Sequence, residues 1–133
     1  METGVLADAD FNGSGKHVAI LSHAGTIQIM EVKSGQMLAN HAATQPASRQ
    51  IRLSPDGSHI AVIGGDNRLE WRDALTGAIE QAWLCPETIL NAVCGEDNDT
   101  VMIQGDTAAY LWSARRERIG RRTISAPRRR LAD

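Results

Sequence analysis

The chain repeats itself. Residues 53–63, Leu-Ser-Pro-Asp-Gly-Ser-His-Ile-Ala-Val-Ile, are followed by residues 69–73 and by Thr76-Gly77, and this plan recurs about 40 residues away on both sides. A shift of 42 towards the N-terminus lays Gly57 on Gly15, His59 on His17, Ala61 on Ala19 and Gly77 on Gly35. A shift of 41 the other way lays Ile60-Ala61-Val62 on Val101-Met102-Ile103. One residue is then lost in the next turn, and a shift of 40 lays Arg72-Asp73 on Trp112-Ser113. A period of this size holds four short strands, the unit of a propeller blade.

The middle unit shows the plan best. Residues 49–53 read as a first strand ending in Ser54-Pro55-Asp56-Gly57, where Pro sets one turn position and Gly takes the positive φ that follows. Residues 59–63 are a near-continuous apolar run, suited to burial on both faces. Gly64-Gly65-Asp66-Asn67 turns the chain into a third strand, 68–73, in which Leu69 and Trp71 alternate with Glu70 and Arg72. Thr76-Gly77 turns it again into 78–84. The first unit places strands at 5–11, 18–22, 26–31 and 37–40, and the third at 90–94, 101–104 and 108–113. Where Thr76-Gly77 would recur, the third unit has Arg116-Glu117. The expected fold class is all-β: three four-stranded antiparallel meanders over residues 1–122, at about 5–42, 47–84 and 88–122, and a basic disordered tail at 123–133.

Only five of the 133 residues are aromatic, so Val, Ile, Leu and Ala must supply most of the core. Cys85 and Cys94 match no metal spacing and are too few for a disulfide framework, which points to a reducing, cytoplasmic setting. Met1-Glu2-Thr3-Gly4 opens no apolar run, so no signal peptide is expected. No apolar stretch reaches the roughly 18 residues that span a bilayer, and no membrane association is expected. The net charge of −2 hides a division: residues 1–114 carry 14 acidic and 6 basic side chains, and residues 115–133 carry 8 arginines against Glu117 and Asp133.

The units resemble blades of the WD-repeat β-propeller family. The resemblance rests on Ser54-Pro55-Asp56-Gly57, on Asp73 with Thr76-Gly77, and on Trp112-Ser113 at the Trp-Asp position, which elsewhere reads Met30-Glu31 and Arg72-Asp73. It covers roughly residues 5–119. Family members carry a buried network of His, strand Ser or Thr, turn Asp and Trp; here His41, Ser22, Asp66 and Asp106 stand near the matching positions, and no blade retains all four. The resemblance implies a non-catalytic scaffold for protein complexes. Three blades cannot close a ring of about four to eight, so the end faces must meet further blades, a protein partner or a second chain. Turn residues Asp66, Asn67, Arg68 and Asp106 are the expected partner contacts, by position.

Other chemistries are weaker. Residues 8–14 begin like a calcium loop, with Asp8, Asp10 and Asn12 at ligand positions, but position 12 is Ala19 and position 9 is Lys16. Residues 96–99 read as an acidic hairpin turn, and His17 and His59 as repeat equivalents rather than ligands. No catalytic motif, cofactor loop or metal cluster is expected, so the chain reads as no enzyme. Two alternatives stand beside the scaffold. The arginine-rich end could bind nucleic acid or another anionic surface, without aromatics to stack bases. Alternatively, residues 73–77 followed by Trp83 are similar to the repeat of quinoprotein dehydrogenases, with the Trp two residues further from the Gly.

Overall fold

The computed structural model describes residues 5–43 and 48–114, and the backbone of 122–124. Blade 1 comprises β1 (Leu6–Phe11), β2 (His17–Ser22), β3 (Thr26–Glu31) and β4 (Met37–Ala42). Blade 2 comprises β5 (Ser48–Leu53), β6 (His59–Gly64), β7 (Arg68–Asp73) and β8 (Ile79–Leu84). Blade 3 comprises β9 (Ile89–Cys94), β10 (Thr100–Gly105), β11 (Ala109–Ser113) and β12 (Arg122–Ile124). Each blade is an antiparallel meander whose strands pair in chain order. No helix occurs among the described residues. The blade 3 outer strand pairs with β11 through Ala109↔Ile124 and Leu111↔Arg122, so the sheet runs across the 122/123 boundary expected from sequence. Residues 125–133, the rest of the expected tail, lie outside the described residues, as do 115–121.

Local chemistry places the first turns. In blade 2 the Ser54 Oγ accepts from the His59 N–H at 3.1 Å, and the Gly57 N–H donates to the Ser54 carbonyl at 2.8 Å. Gly57 sits at φ 78°, where a Cβ is strained, and Asn98 fills the same turn position in blade 3 at φ 66°. Asn is among the residues that tolerate this region best. The acidic turn is consumed by its own geometry, since Asp97 accepts from the Asp99 and Thr100 N–H groups and from the Thr100 hydroxyl.

The blades stack because β6 is apolar on both faces. Ile60, Ala61, Val62 and Ile63 are all fully buried. Strand alternation sends Ile60 and Val62 into a core with Ala19, Leu21, Ile27 and Ile29 of blade 1. It sends Ala61 and Ile63 into a second core with Ile89, Val101, Ile103 and Trp112 of blade 3. The same alternation splits β7. Leu69 and Trp71 join the second core, while Glu70 and Arg72 turn away from it, towards blade 1.

These two charges are almost completely buried, at 3% and 2% side-chain exposure. The Arg72 Nη2 donates to Glu70 Oε1 at 2.8 Å, its Nε to the same oxygen at 3.1 Å, and its Nη1 to the Ala42 carbonyl of β4 at 3.0 Å. The guanidinium thus ties the outer strand of blade 1 to the centre of blade 2. At the other seam the residue lost between β10 and β11 changes the chemistry. Ile60 pairs with Arg72, but its equivalent Val101 pairs with Trp112. Indoles therefore meet where the first seam has an ion pair: Trp71 and Trp112 lie 5.5 Å apart, and Trp83 and Tyr110 lie 5.5 Å apart.

Removing one partner of a buried pair leaves the other charged in low dielectric. Glu70→Gln is expected to cost about 3–5 kcal/mol, whereas the double replacement Glu70→Leu/Arg72→Met is expected to be close to neutral. Urea unfolding of the single and double variants checks this, and equal losses in both would contradict it.

Candidate functional site

The first strand of each sheet has one edge paired within its blade and one edge open, and an open edge exposes unmatched N–H and C=O groups. Side chains of the neighbouring blade close it here. Asp8 Oδ2 accepts from the Ile51 N–H at 3.0 Å, and Asp10 Oδ2 from the Leu53 N–H at 2.8 Å. Carboxylates two residues apart on β1 thus act as a surrogate strand for the donors of β5. At the next seam the roles reverse. Arg49, Gln50 and Arg52 of β5 donate to the carbonyls of Ile89, Leu90 and Ala92 on β9. Arg52 also joins the two stitches, through Asp8 at 2.8 Å. Asp8 and Asp10, the leading residues of the calcium-like string, are therefore inter-blade acceptors.

A groove of about 410 Å³ runs along this wall, lined in part by Asp10, Phe11, Arg52, Val93 and Cys94. Burial raises the Asp10 pKa from its ordinary value, against the Leu53 N–H and the Arg52 charge, which lower it. Burial also pushes the Cys94 thiol up to about 12, which leaves it protonated and a poor nucleophile or metal ligand at neutral pH.

The expected partner-contact residues lie at the turns between second and third strands. Asp66 and Arg68 are exposed on the blade 2 turn, and Asp106 is exposed on the blade 3 turn. Asp66 accepts from the Arg68 N–H at 3.2 Å, and the Arg68 Nε lies 3.4 Å from Glu70. Asn67, in the same turn, is partly exposed and also fixes the chain. At φ 66° its side-chain oxygen accepts from the Ile89 N–H, and its carbonyl from the Cys85 N–H, so it fixes the entry into blade 3. Beside Asp106, Glu87 accepts from the Thr107 hydroxyl and, at 2.6 Å, from the Tyr110 hydroxyl. That bond, with burial, pushes the Tyr110 phenol up to about 12. Burial alone would raise the Glu87 pKa, but the bonds from Tyr110 and Thr107 outweigh it and lower it.

The family-like network is dispersed. Ser22 Oγ accepts from the Thr26 N–H within its own turn, whereas the His41 Nε2 reaches the Ala74 carbonyl of blade 2 at 3.3 Å. The His41 ring also fills the space above Gly77, where an added Cβ would stand 2.7 Å from the ring. Its buried Nδ1 has no partner among the described residues.

One cluster was not legible as a motif. His59 at the start of β6, Asp73 at the end of β7 and Glu80 on β8 bring one ligand-type atom each to within 4.8 Å of one another. His59 and Asp73 are direct cross-strand partners. His59 also stacks on Trp71 at a centroid distance of 5.1 Å and an interplanar angle of 10°. Sequence spacing hides this group because antiparallel pairing, not proximity along the chain, assembles it. Folding residues 59–73 as a hairpin around Gly65-Asp66 is the signal that could have found two of the three.

No protein-family model matches this chain. No curated protein matches it either. Solved β-propeller structures do. KlHsv2 with loop 6CD replaced by a Gly-Ser linker superposes at TM-score 0.76 and 10% identity, over 94% of this chain and 40% of that one. Kluyveromyces lactis Hsv2 gives 0.73 and 10%, over 94% and 37%. Hsv2 of Kluyveromyces marxianus gives 0.72 and 8%, over 92% and 38%. At such identities the likeness fixes the fold. The chain spans about two fifths of the length of these propellers.

His41 gives the first seam a pH dependence. Burial, then the Arg72 charge, lowers its pKa below the ordinary 6.5; the Ala74 carbonyl and Asp73 oppose the shift. The unfolded chain therefore takes up this proton at higher pH than the native one, so stability is full above about 6.5 and falls as pH drops towards the lower native value. His41→Gln is expected to show a shallower loss of melting temperature between about pH 7 and 5. Parallel curves for the two proteins would refute the assignment.

Proposed function

We propose that this chain is a non-catalytic, protein-binding segment of a β-propeller, and that its blade 3 face docks a further blade-like sheet. The observation that carries this reading is the contrast between equivalent positions. Ala61 and Ile63 are 0% exposed under blade 3, whereas their equivalent Met102 is 41% exposed and Gln104 is also exposed. Val93 on β9, the cross-strand partner of Met102, adds an exposure of 54% on the same side. Val93 stands where Arg52 does in blade 2, so an exposed apolar side chain replaces the polar stitch.

A sheet is the occupant that fits. The two seams present in the chain are sheet-on-sheet contacts, and the matched propellers superpose on its three blades with well over half their own length left over. Large apolar faces of this kind mark interaction surfaces in soluble proteins. Docking there would hold Asp66, Arg68 and Asp106 along one end of the stack, as contacts for a protein partner. That role for the turns is part of the same proposal.

Size-exclusion chromatography with light scattering checks it. The isolated chain is expected to self-associate with rising concentration, and Met102→Asp with Val93→Asp to suppress that association. Leu38→Asp, on the outer strand of blade 1, is expected to leave it unchanged. A wild-type chain that stays a compact monomer with a cooperative melt would overturn the reading.

A further inference from the structure

The His59 cluster brings one imidazole and two carboxylates from three strands to one point. Asp56 Oδ1 accepts from the Ser58 N–H at 2.9 Å, the Ser54 hydroxyl at 2.9 Å and the Ser58 hydroxyl at 2.7 Å. These bonds outweigh the effect of burial and lower the Asp56 pKa, so it is an ionised acceptor. A carboxylate has no proton to give, so the Ser58 hydroxyl must donate to it. The Ser58 oxygen then has only lone pairs left for the His59 Nδ1, 2.9 Å away. Nδ1 therefore carries a proton and donates to Ser58, which leaves Nε2 as the nitrogen that faces the carboxylates. Nε2 lies 3.1 Å from a carboxylate oxygen, Glu80 Oε1. A proton on Nε2, or a metal ion held between the two groups, would satisfy this pair.

Asp73 supplies the third side. Its Oδ1 accepts from the Leu75 and Thr76 N–H groups, which fixes the carboxylate. The site is reachable, with His59 25% and Glu80 43% exposed.

We propose that His59 Nε2, Asp73 and Glu80 bind a zinc ion, with water as the fourth ligand. One imidazole with two carboxylates suits zinc better than calcium or magnesium, which prefer all-oxygen shells. Tetrahedral zinc with bonds of about 2.0–2.2 Å sets its ligand atoms roughly 3.3–3.6 Å apart. His59 Nε2 and Glu80 Oε1 are already 3.1 Å apart and all three ligand atoms lie within 4.8 Å, so the closure needed is towards Asp73. Ser58 is the positioning residue: its oxygen receives Nδ1–H, the bond by which metal-bound histidines are commonly oriented. Trp71 holds the ring plane from one side. The ion would pin the ends of β6, β7 and β8 together beside the seam with blade 3. Its role is to stabilise blade 2, by mass action on the folded state.

Zinc chloride titrated into the full chain, followed by calorimetry and thermal shift, tests this. One ion per chain and a raised melting temperature are expected, together with a long-range ¹⁵N spectrum showing His59 neutral with Nδ1 protonated and Nε2 shifted by the metal. His59→Gln and Glu80→Gln are each expected to weaken binding by more than the roughly tenfold that an outer-shell loss costs, and Ser58→Ala by about that tenfold, with Ser58→Thr restoring it. Cys94→Ser is expected to change nothing. The proposal falls if no ion binds, or if affinity is the same in the His59 and Glu80 variants. It also falls if His59 keeps protons on both nitrogens when zinc is present, so that a plain ion pair with Glu80 holds the site. The result stands or falls separately from self-association through blade 3.

Discussion

Everything in this structure depends on β6 having no polar face. A strand of a four-stranded sheet normally turns one side to water, and four consecutive buried aliphatics, Ile60 to Ile63, remove that option. Blade 2 must be covered on both sides, and blades 1 and 3 are the covers. The arc follows from that requirement, and so does the difference between its ends, since blade 3 carries the exposed Met102 where blade 2 carries the covered Ala61.

The two seams solve the same packing problem with different chemistry. Between blades 1 and 2 the charged pair Glu70–Arg72 sits in an otherwise aliphatic core and reaches the Ala42 carbonyl across the seam. Between blades 2 and 3 the contact is aromatic, Trp71 on Trp112 and Trp83 on Tyr110. A single deleted residue separates the two cases, because it moves every side chain of β11 by one place relative to β7. Orientation-specific polar contacts at one seam and indole packing at the other give each blade a distinct neighbour. The stitches along the open edges reinforce this order, with acids on β1 and donors on β5.

Most of the strand plan could be read from residues alone. The strands 26–31 and 68–73 have the bounds expected, and the other principal strands differ at their ends by one or two residues. Gly, Pro and Asp mark turns by local backbone energetics, which do not depend on the rest of the chain. The outer strand of blade 3 was not legible in this way. Residues 122–124 follow no Thr-Gly turn and show no alternation of their own; they are a strand because β11 offers them an edge. Likewise, Asp8 and Asp10 look like ligands when read along the chain, but across the seam they are acceptors for Ile51 and Leu53.

Sequence by itself determined the number of units, the order of strands and the two-faced character of β6. Each of these is set by residue type at short range or by a simple repeat. Tertiary structure decided which side chains meet. It put Arg72 under Ala42, set His41 over Gly77 and spent Asn67 on the start of blade 3. It also gathered His59, Asp73 and Glu80 around one point from three strands. The physical reason is that pairing register and blade stacking join positions many residues apart, and a shift of one residue in either changes every such contact.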